Sequence, residues 1–331
     1  MKNENLCEIR DLSKWFTQSN GAFRKQVSHL KAVDGCSFSI RRGETLGLVG
    51  ESGCGKTTFG RTLVRIYQPT SGEFMYYEKG EENPTDIFKL KPSRLRGFRQ
   101  KIQMIYQDPY GSLNPRMNIE NIITEGLKIH GIGKSRSERR EIIAEVLEKV
   151  GLRPEYMRRY PHEFSGGQRQ RVGIARSLVV NPEFIICDEP VSALDVSVQA
   201  QVINILEGLK EDLNLTYLFI AHDLSVVKHI SDRIAVMYLG KIIEMAETEE
   251  LFKNTLHPYT KGLLDSIPVP NPHMRKKGKQ LLSGDVPSPV DPPQTCRFLK
   301  RCPRAFERCT KGIPELREIE AGHFVACYLY D

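Results

Sequence analysis

Hydrophobic positions along the chain change period repeatedly, and the changes predict alternating strands and helices. Leu6, Ile9 and Leu12 mark a strand-like segment over residues 6–16 that ends at Trp15-Phe16, and a polar, glycine-containing stretch from Thr17 to Lys31 reads as a loop. Phe38 and Ile40 then alternate with Ser37 and Ser39, the period of a half-buried strand. Leu46, Leu48 and Val49 form a short apolar run, and Phe59, Leu63 and Val64 follow at helical spacing. Pro69 to Gly72 reads as a turn, and the polar residues 78–86 as a surface excursion. Ile102 to Gln107 predicts a buried strand stopping at Asp108-Pro109. Helices are expected over 119–129 and 137–150. In the second, Ile142, Ile143, Val146, Leu147 and Val150 make one apolar stripe behind a capping box at Ser135 and Glu138.

Phe184 to Glu189 is a continuous apolar run closed by two acids, as in a central parallel strand whose C-terminal end faces a ligand. A helix carrying Val198, Val202, Ile205 and Leu209 follows. Further strands are Tyr217 to Ala221, ending at His222-Asp223, and Arg233 to Met237. Strands alternating with helices imply an α/β fold with a mostly parallel sheet. From about residue 250 the composition shifts: 267–293 hold seven prolines and read as loop or extended chain. No internal repeat or low-complexity tract interrupts the pattern.

Composition narrows the picture. The 331 residues, 40% hydrophobic and 27% charged, are those of an ordinary globular protein, with room for one large domain and a smaller one. No apolar run approaches the roughly 18 residues of a membrane span, and Met-Lys-Asn-Glu-Asn lacks a secretory core, so a cytoplasmic location is expected, with any membrane role through a partner. The net charge of +7 suits an anionic ligand, a membrane-adjacent position or nucleic acid, or simply a solvated surface. Eight cysteines in such a chain argue against a disulfide framework. Cys7, Cys36, Cys54 and Cys187 are scattered, whereas Cys296, Cys302, Cys309 and Cys327 crowd into the last 36 residues.

The chemistry centres on Gly50, Glu51, Ser52, Gly53, Cys54, Gly55, Lys56, Thr57 and Thr58. The pattern G-x-x-x-x-G-K-[ST] lies between an apolar strand and a helix, the setting that turns it into a phosphate site. The glycines free backbone N–H groups to wrap an anion, and the following helix presents its positive end. Lys56 can reach the β- and γ-phosphates, and the Thr57 hydroxyl can ligate Mg²⁺. ATP and Mg²⁺ are the expected cofactors.

Phe164-Ser165-Gly166-Gly167-Gln168-Arg169-Gln170-Arg171, with the phosphate loop and the strand closing at Asp188-Glu189, resembles the ATP-binding cassette ATPases of ABC transporters. The match spans residues 6 to about 245 and includes Gln107, the loop Ser192-Ala193-Leu194-Asp195 and His222. Phe164 stands where the family pattern begins with Leu. The resemblance implies a P-loop core at 1–250, with a helical signature subdomain at about 108–168 and a small cysteine-containing region at 251–331. It places Thr57, Asp188 and Gln107 around Mg²⁺, makes Glu189 the general base and sets His222 near the γ-phosphate. Phe16 is placed on adenine. Ser165, Gly166, Gly167, Gln168 and Asp195 are placed at the nucleotide of a second cassette, so a dimer is implied.

Tyr106 to Pro115, His257-Pro258-Tyr259-Thr260 and the cysteine-rich tail look like the dipeptide and oligopeptide importer ATPases. That resemblance implies a subunit peripheral to the cytoplasmic face of the membrane, two transmembrane permease partners and an extracytoplasmic peptide-binding protein. Nickel or other small-solute importers share much of the pattern. A nucleic-acid-acting cassette is weighed against by the single compact cassette, so no nucleic-acid partner is expected, and a P-loop kinase has no use for Ser165–Gln168. The tail spacing, Cys296-x₅-Cys302-x₆-Cys309-x₁₇-Cys327, lacks the short pairs usual for zinc. Four cysteines at wider spacing can hold a [4Fe–4S] cluster. The resemblance favours that cluster, with zinc as the alternative.

Overall fold

The structure, a computed structural model, describes residues 5–20, 26–81, 83–266 and 284–331. The strands and helices in chain order begin with β1 (Asn5–Asn20), β2 (Gln26–Arg41), β3 (Thr45–Val49), α1 (Lys56–Leu63), β4 (Ser71–Tyr76) and β5 (Thr85–Asp86). Next come α2 (Pro92–Lys101), β6 (Ile102–Ile105), α3 (Ile119–His130), α4 (Arg136–Lys149), α5 (Gly166–Leu178), β7 (Phe184–Asp188), α6 (Val196–Leu213) and β8 (Thr216–Ala221). The chain closes with α7 (Leu224–Ile230), β9 (Arg233–Tyr238), β10 (Lys241–Glu247), α8 (Thr248–Lys253), α9 (Pro258–Ser266), β11 (Arg317–Glu320) and β12 (His323–Val325). No described helix is long and apolar enough to cross a membrane.

The chain divides into two compact units. The first takes residues 41–45 and 89–220, with the extreme N-terminus. Within it β6, β7 and β8 run parallel, Ile105 beside Cys187 and Asp188 beside Ile220. Every residue of β7 and β8 is buried, as expected of parallel strands covered on both faces. Helices α3, α4 and α5 pack on one another. Asn118 and Ser135 cap α3 and α4 by accepting from Asn121 and Glu138 N–H. The box expected at Ser135 is half formed: the Glu138 carboxylate turns instead to the N–H of Lys134.

The second unit takes residues 7–40, 46–88 and 221–331. Here β3 and β9 are parallel, and β10, β12 and β11 extend from β9 antiparallel. A separate antiparallel sheet has the order β2-β1-β4-β5.

Several expectations are corrected. Residues 17–20 and 26–31, read as loop, belong to β1 and β2; the sequence there is largely polar, and Val27 is 54% exposed, which hid the period. Helix α2 was missed because only Leu95 and Phe98 of its ten residues are buried. The sequence reading named no elements from residue 248 onward, where α8, α9 and the β11–β12 hairpin lie. Residues 284–293 are loop as expected, with Val290 bridged to Leu30 of β2; residues 267–283 of the proline-rich stretch lie outside the described residues.

Asp34 of β2 fastens the tail within this unit. Its carboxylate receives Arg297, lies within 4.0 Å of Lys31 and Lys241, and accepts the Trp15 indole N–H at 3.1 Å. The Arg297 side chain is 2% exposed, and burial pulls its pKa down while Asp34 pulls it back up. Removing one member of a buried pair strands the other charge, at a cost of about 3–5 kcal/mol. Asp34→Ala should therefore lower the free energy of chemical unfolding by that order, seen as a lower denaturant midpoint, and a midpoint unchanged within error would show that Arg297 finds another partner.

Candidate functional site

The phosphate loop belongs to the second unit. Gly50 and Gly55 are required sterically: a Cβ on Gly50 would lie 2.2 Å from the Met237 carbonyl oxygen, and one on Gly55 1.9 Å from that of Ala32. The loop is closed by Lys56, which is 4% exposed and whose Nζ donates to the carbonyls of Gly50 at 2.8 Å and Glu51 at 3.1 Å. Helix α1 starts at Gly55, a glycine that offers no side-chain cap to the first-turn N–H groups. A cradle of N–H groups, a buried ammonium and an uncapped helix start fit the polyphosphate of ATP. Ser52 and Gly53 are exposed, Thr57 and Thr58 half-buried, and Cys54 is buried, which pushes its thiol pKa up.

Phe16 is half-buried, edge-on to Tyr67 at 5.4 Å with Lys14 Nζ 4.8 Å from its ring. Trp15 is instead turned to Asp34. His222 is exposed at the end of β8, next to Asp223, which caps α7 by accepting from Ser225 N–H.

The other predicted residues belong to the first unit. Asp188 closes β7 and is fully buried. Glu189 follows at a positive φ of 46°, its N–H held by the Ile220 carbonyl at 2.9 Å. Gln107, just past β6, donates its side-chain amide to Glu189 Oε2 at 3.0 Å. Two residues 82 positions apart are thus brought together at the ends of neighbouring parallel strands. Ser165 caps α5 in a complete box: its Oγ accepts from Gln168 N–H at 3.3 Å, and the Gln168 side-chain oxygen accepts from Ser165 N–H at 3.1 Å. The Ser165 hydroxyl proton is left to donate. Gly167 lets the helix approach α6, since a Cβ there would lie 2.3 Å from Val198. Asp195 is exposed at the start of α6 and makes no side-chain cap, and Val196 beside it is 82% exposed.

The four tail thiols are all free, and Cys296 N–H donates to the Cys309 carbonyl. Burial, with the other three thiols adding, pushes Cys296 up to about 11, and burial also raises Cys302 and Cys327. Among the described residues, the set of three His, Cys, Asp or Glu ligand atoms within 4.8 Å of one another contains none of these thiols.

Sequence reading missed a group at the back of the phosphate loop. Arg301 reaches Glu51 with both arms, at 2.7 and 2.9 Å, and Tyr259 Oη accepts from Glu51 N–H at 2.9 Å. Tyr238, Tyr259 and Phe298 pack around the pair with ring centroids 4.6–5.5 Å apart. The hydrogen bond to Glu51 is the chief cause that raises the Arg301 pKa, and burial raises that of Tyr259. No periodicity links positions 250 residues apart; the available signal was His257-Pro258-Tyr259-Thr260, noted without a role.

Comparison with known proteins follows the same order. Residues 33–192 match the ABC transporter family model, and 243–309 match the model described as oligopeptide/dipeptide transporter, C-terminal region. The chain is 54% identical to the oligopeptide transport ATP-binding protein AppF of Bacillus subtilis (strain 168), over 99% of this chain and 98% of that one. It is 56% identical to the putative oligopeptide transport ATP-binding protein YkfD of the same organism, over 100% and 97%. Among solved structures, cbiO1 from Clostridium perfringens shares the fold with TM-score 0.62 at 23% identity, covering 76% of this chain and 92% of that one. The ATP-binding cassette MJ0796, in a dimeric post-hydrolysis state bound to ADP and Pi, matches with TM-score 0.62 at 27% identity over 73% and 98%.

A carboxylate inside a phosphate loop opposes the charge of the nucleotide, and the Arg301 fork neutralises it. Losing hydrogen bonds to a charged group costs about 1.5–3 kcal/mol. Arg301→Met should therefore weaken ATP binding by about 10- to 100-fold in a fluorescent-nucleotide titration. Adding Glu51→Gln should recover much of the loss, because it removes the charge that Arg301 opposed; absence of recovery would reduce Arg301 to a packing role.

Proposed function

The chain belongs to the ATP-binding subunits of ABC transporters, and from that premise we propose that it hydrolyses ATP to energise the import of oligopeptides. Similarity to oligopeptide transport ATP-binding proteins across nearly the full length of both chains, C-terminal region included, supports this reading. The site observation that carries it is the hydrogen bond of Gln107 to Glu189, which aims a carboxylate from the strand end where a water-activating base is needed.

The phosphate loop from Gly50 to Thr58 holds the polyphosphate, with the Lys56 ammonium exchanging its loop carbonyls for phosphate oxygens. Thr57, Asp188 and Gln107 are the oxygen ligands for Mg²⁺, which when bound neutralises charge developing on the phosphates. Glu189 takes the proton of the attacking water. His222 hydrogen-bonds the γ-phosphate, and Phe16 packs against the adenine. Ser165, Gly166, Gly167 and Gln168, with Asp195, serve the nucleotide held by a second cassette, so the working unit is a dimer. Two membrane-spanning permease subunits and an extracytoplasmic peptide-binding protein complete the assembly, with this subunit on the cytoplasmic face. In this reading residues 251–331 form a C-terminal region with its own centre.

That centre is a [4Fe–4S] cluster held by Cys296, Cys302, Cys309 and Cys327. Four free thiols in the tail, that of Cys296 raised by burial and by the other three, support it, and burial of the thiols means that loading releases protons and is favoured as pH rises.

Two measurements test these assignments. Glu189→Gln should keep ATP affinity, lower turnover by about 10²–10⁴ and trap an ATP-bound dimer on gel filtration; undiminished hydrolysis removes Glu189 from the reaction. Protein purified without oxygen should be brown, absorbing near ~400 nm through thiolate-to-iron charge transfer, and Cys302→Ser should bleach it without loss of ATP binding. Colourless protein with stoichiometric zinc in the thiols would exclude the cluster.

A further inference from the structure

Besides the thiols, the tail hairpin carries a second set of convergent donors. Glu244 of β10 is fully buried, and its carboxylate accepts from Leu256 N–H at 2.6 Å and His257 N–H at 3.1 Å. The same carboxylate faces His323 Nε2 at 3.0 Å. With Nε2 engaged by that carboxylate, Nδ1 is the ring nitrogen left for another partner. His323 is 0% exposed, and its Nδ1 makes no hydrogen bond. That nitrogen points at Glu250 Oε1 of α8, 3.8 Å away, and Glu320 at the end of β11 completes a set whose ligand atoms all lie within 4.8 Å of one another. Glu320 is itself steered by the Asn254 amide at 3.1 Å.

A buried ring nitrogen without a hydrogen bond and two carboxylate oxygens thus face one another. We propose that Glu250, Glu320 and His323 bind a divalent transition-metal ion of the zinc class, with Glu244 as the partner that orients the histidine. The chemistry of the set carries this. Histidine ligands regularly give their other ring N–H to a carboxylate, which fixes the tautomer and raises the basicity of the ligating nitrogen. Imidazole with two carboxylates suits zinc, and manganese more weakly. Around an ion with bonds near 2.1 Å the donors stand roughly 3.4 Å apart. The buried histidine is fixed, and the contraction falls to the more exposed Glu250 and Glu320 side chains, which can swing inward.

The consequence is mechanical. The ion fastens the β11–β12 hairpin to α8, four residues before Cys327, and so steadies one wall of the thiol centre. The donors differ in kind: nitrogen and oxygen here, sulfur there. A probe that reports ligand type separates them, and the site stands independently of the transport reading.

The test adds Co²⁺ to nucleotide-free full-length protein after dialysis against a chelator. Wild type should develop weak visible d–d bands without sulfur-to-cobalt charge transfer, and its melting temperature should rise with Co²⁺ or Zn²⁺. Glu250→Gln with Glu320→Gln alters only the more exposed ligands and leaves buried His323 in place. This variant should lose at least tenfold in Co²⁺ affinity and the metal-dependent rise in melting temperature, with an unchanged circular dichroism spectrum. Cys302→Ser should keep the sulfur-free bands. Equal Co²⁺ affinity in the double variant, bands that vanish in Cys302→Ser, or no sulfur-free bands in wild type would each overturn the site.

Discussion

The two-armed pair between Arg301 and Glu51 places a cysteine-tail residue directly behind the phosphate loop. Glu51 is a costly residue there, because its charge has the sign of the ligand. The structure meets the cost locally: the guanidinium fork takes both carboxylate oxygens, and the buried ring of Tyr259 takes the adjacent backbone N–H. Arg301 immediately precedes Cys302, so the fork and the thiol are neighbours along one stretch of the tail. The loop and the tail are therefore one mechanical object, despite the 250 residues between the two partners.

The same construction recurs through the second unit. Asp34 takes Arg297, and Glu244 takes His323 together with two backbone N–H groups. Each is an acid on a core strand receiving a polar group from the C-terminal region. With short strands, loops and a proline-rich approach, that region has little apolar surface to bury, and charge-assisted hydrogen bonds do the holding. Such bonds demand geometry, which an apolar contact does not. That demand explains a tail fixed in detail without a large core of its own.

Legibility in the sequence followed burial. The strands Phe184–Asp188 and Thr216–Ala221, buried on both faces, announced themselves as apolar runs, and the phosphate loop was visible because glycines and a lysine at fixed spacing have few other uses. The facing ends of β1 and β2 were invisible, since a largely polar sequence there carries no period that marks a strand. Helix α2 was hidden by its arginines and lysines, and β10 by being apolar at neighbouring positions, where Ile242 and Ile243 are both buried. Long-range polar pairs left no trace at all. Glu51 could be named as part of the loop, but nothing in a linear pattern says that Arg301 completes it, nor that His323 and Glu250 face each other.

Glu189 shows how the fold itself supports the chemistry. A non-glycine residue at a φ of 46° costs about 1–2 kcal/mol, and a strand could have ended at Asp188 without it. The turn is held from several sides: Ile220 grips the Glu189 N–H, Ser192 donates its N–H and hydroxyl to the Glu189 carbonyl, and Pro190 follows. An extended residue would continue the alternation of the strand and send the carboxylate to the opposite face from Asp188 along the sheet. The left-handed turn breaks that alternation and brings the carboxylate to Gln107 past the end of the neighbouring strand. The strain is thus the means by which consecutive acids, Asp188 and Glu189, acquire different surroundings: one sealed in the strand, the other half-exposed where water can reach it.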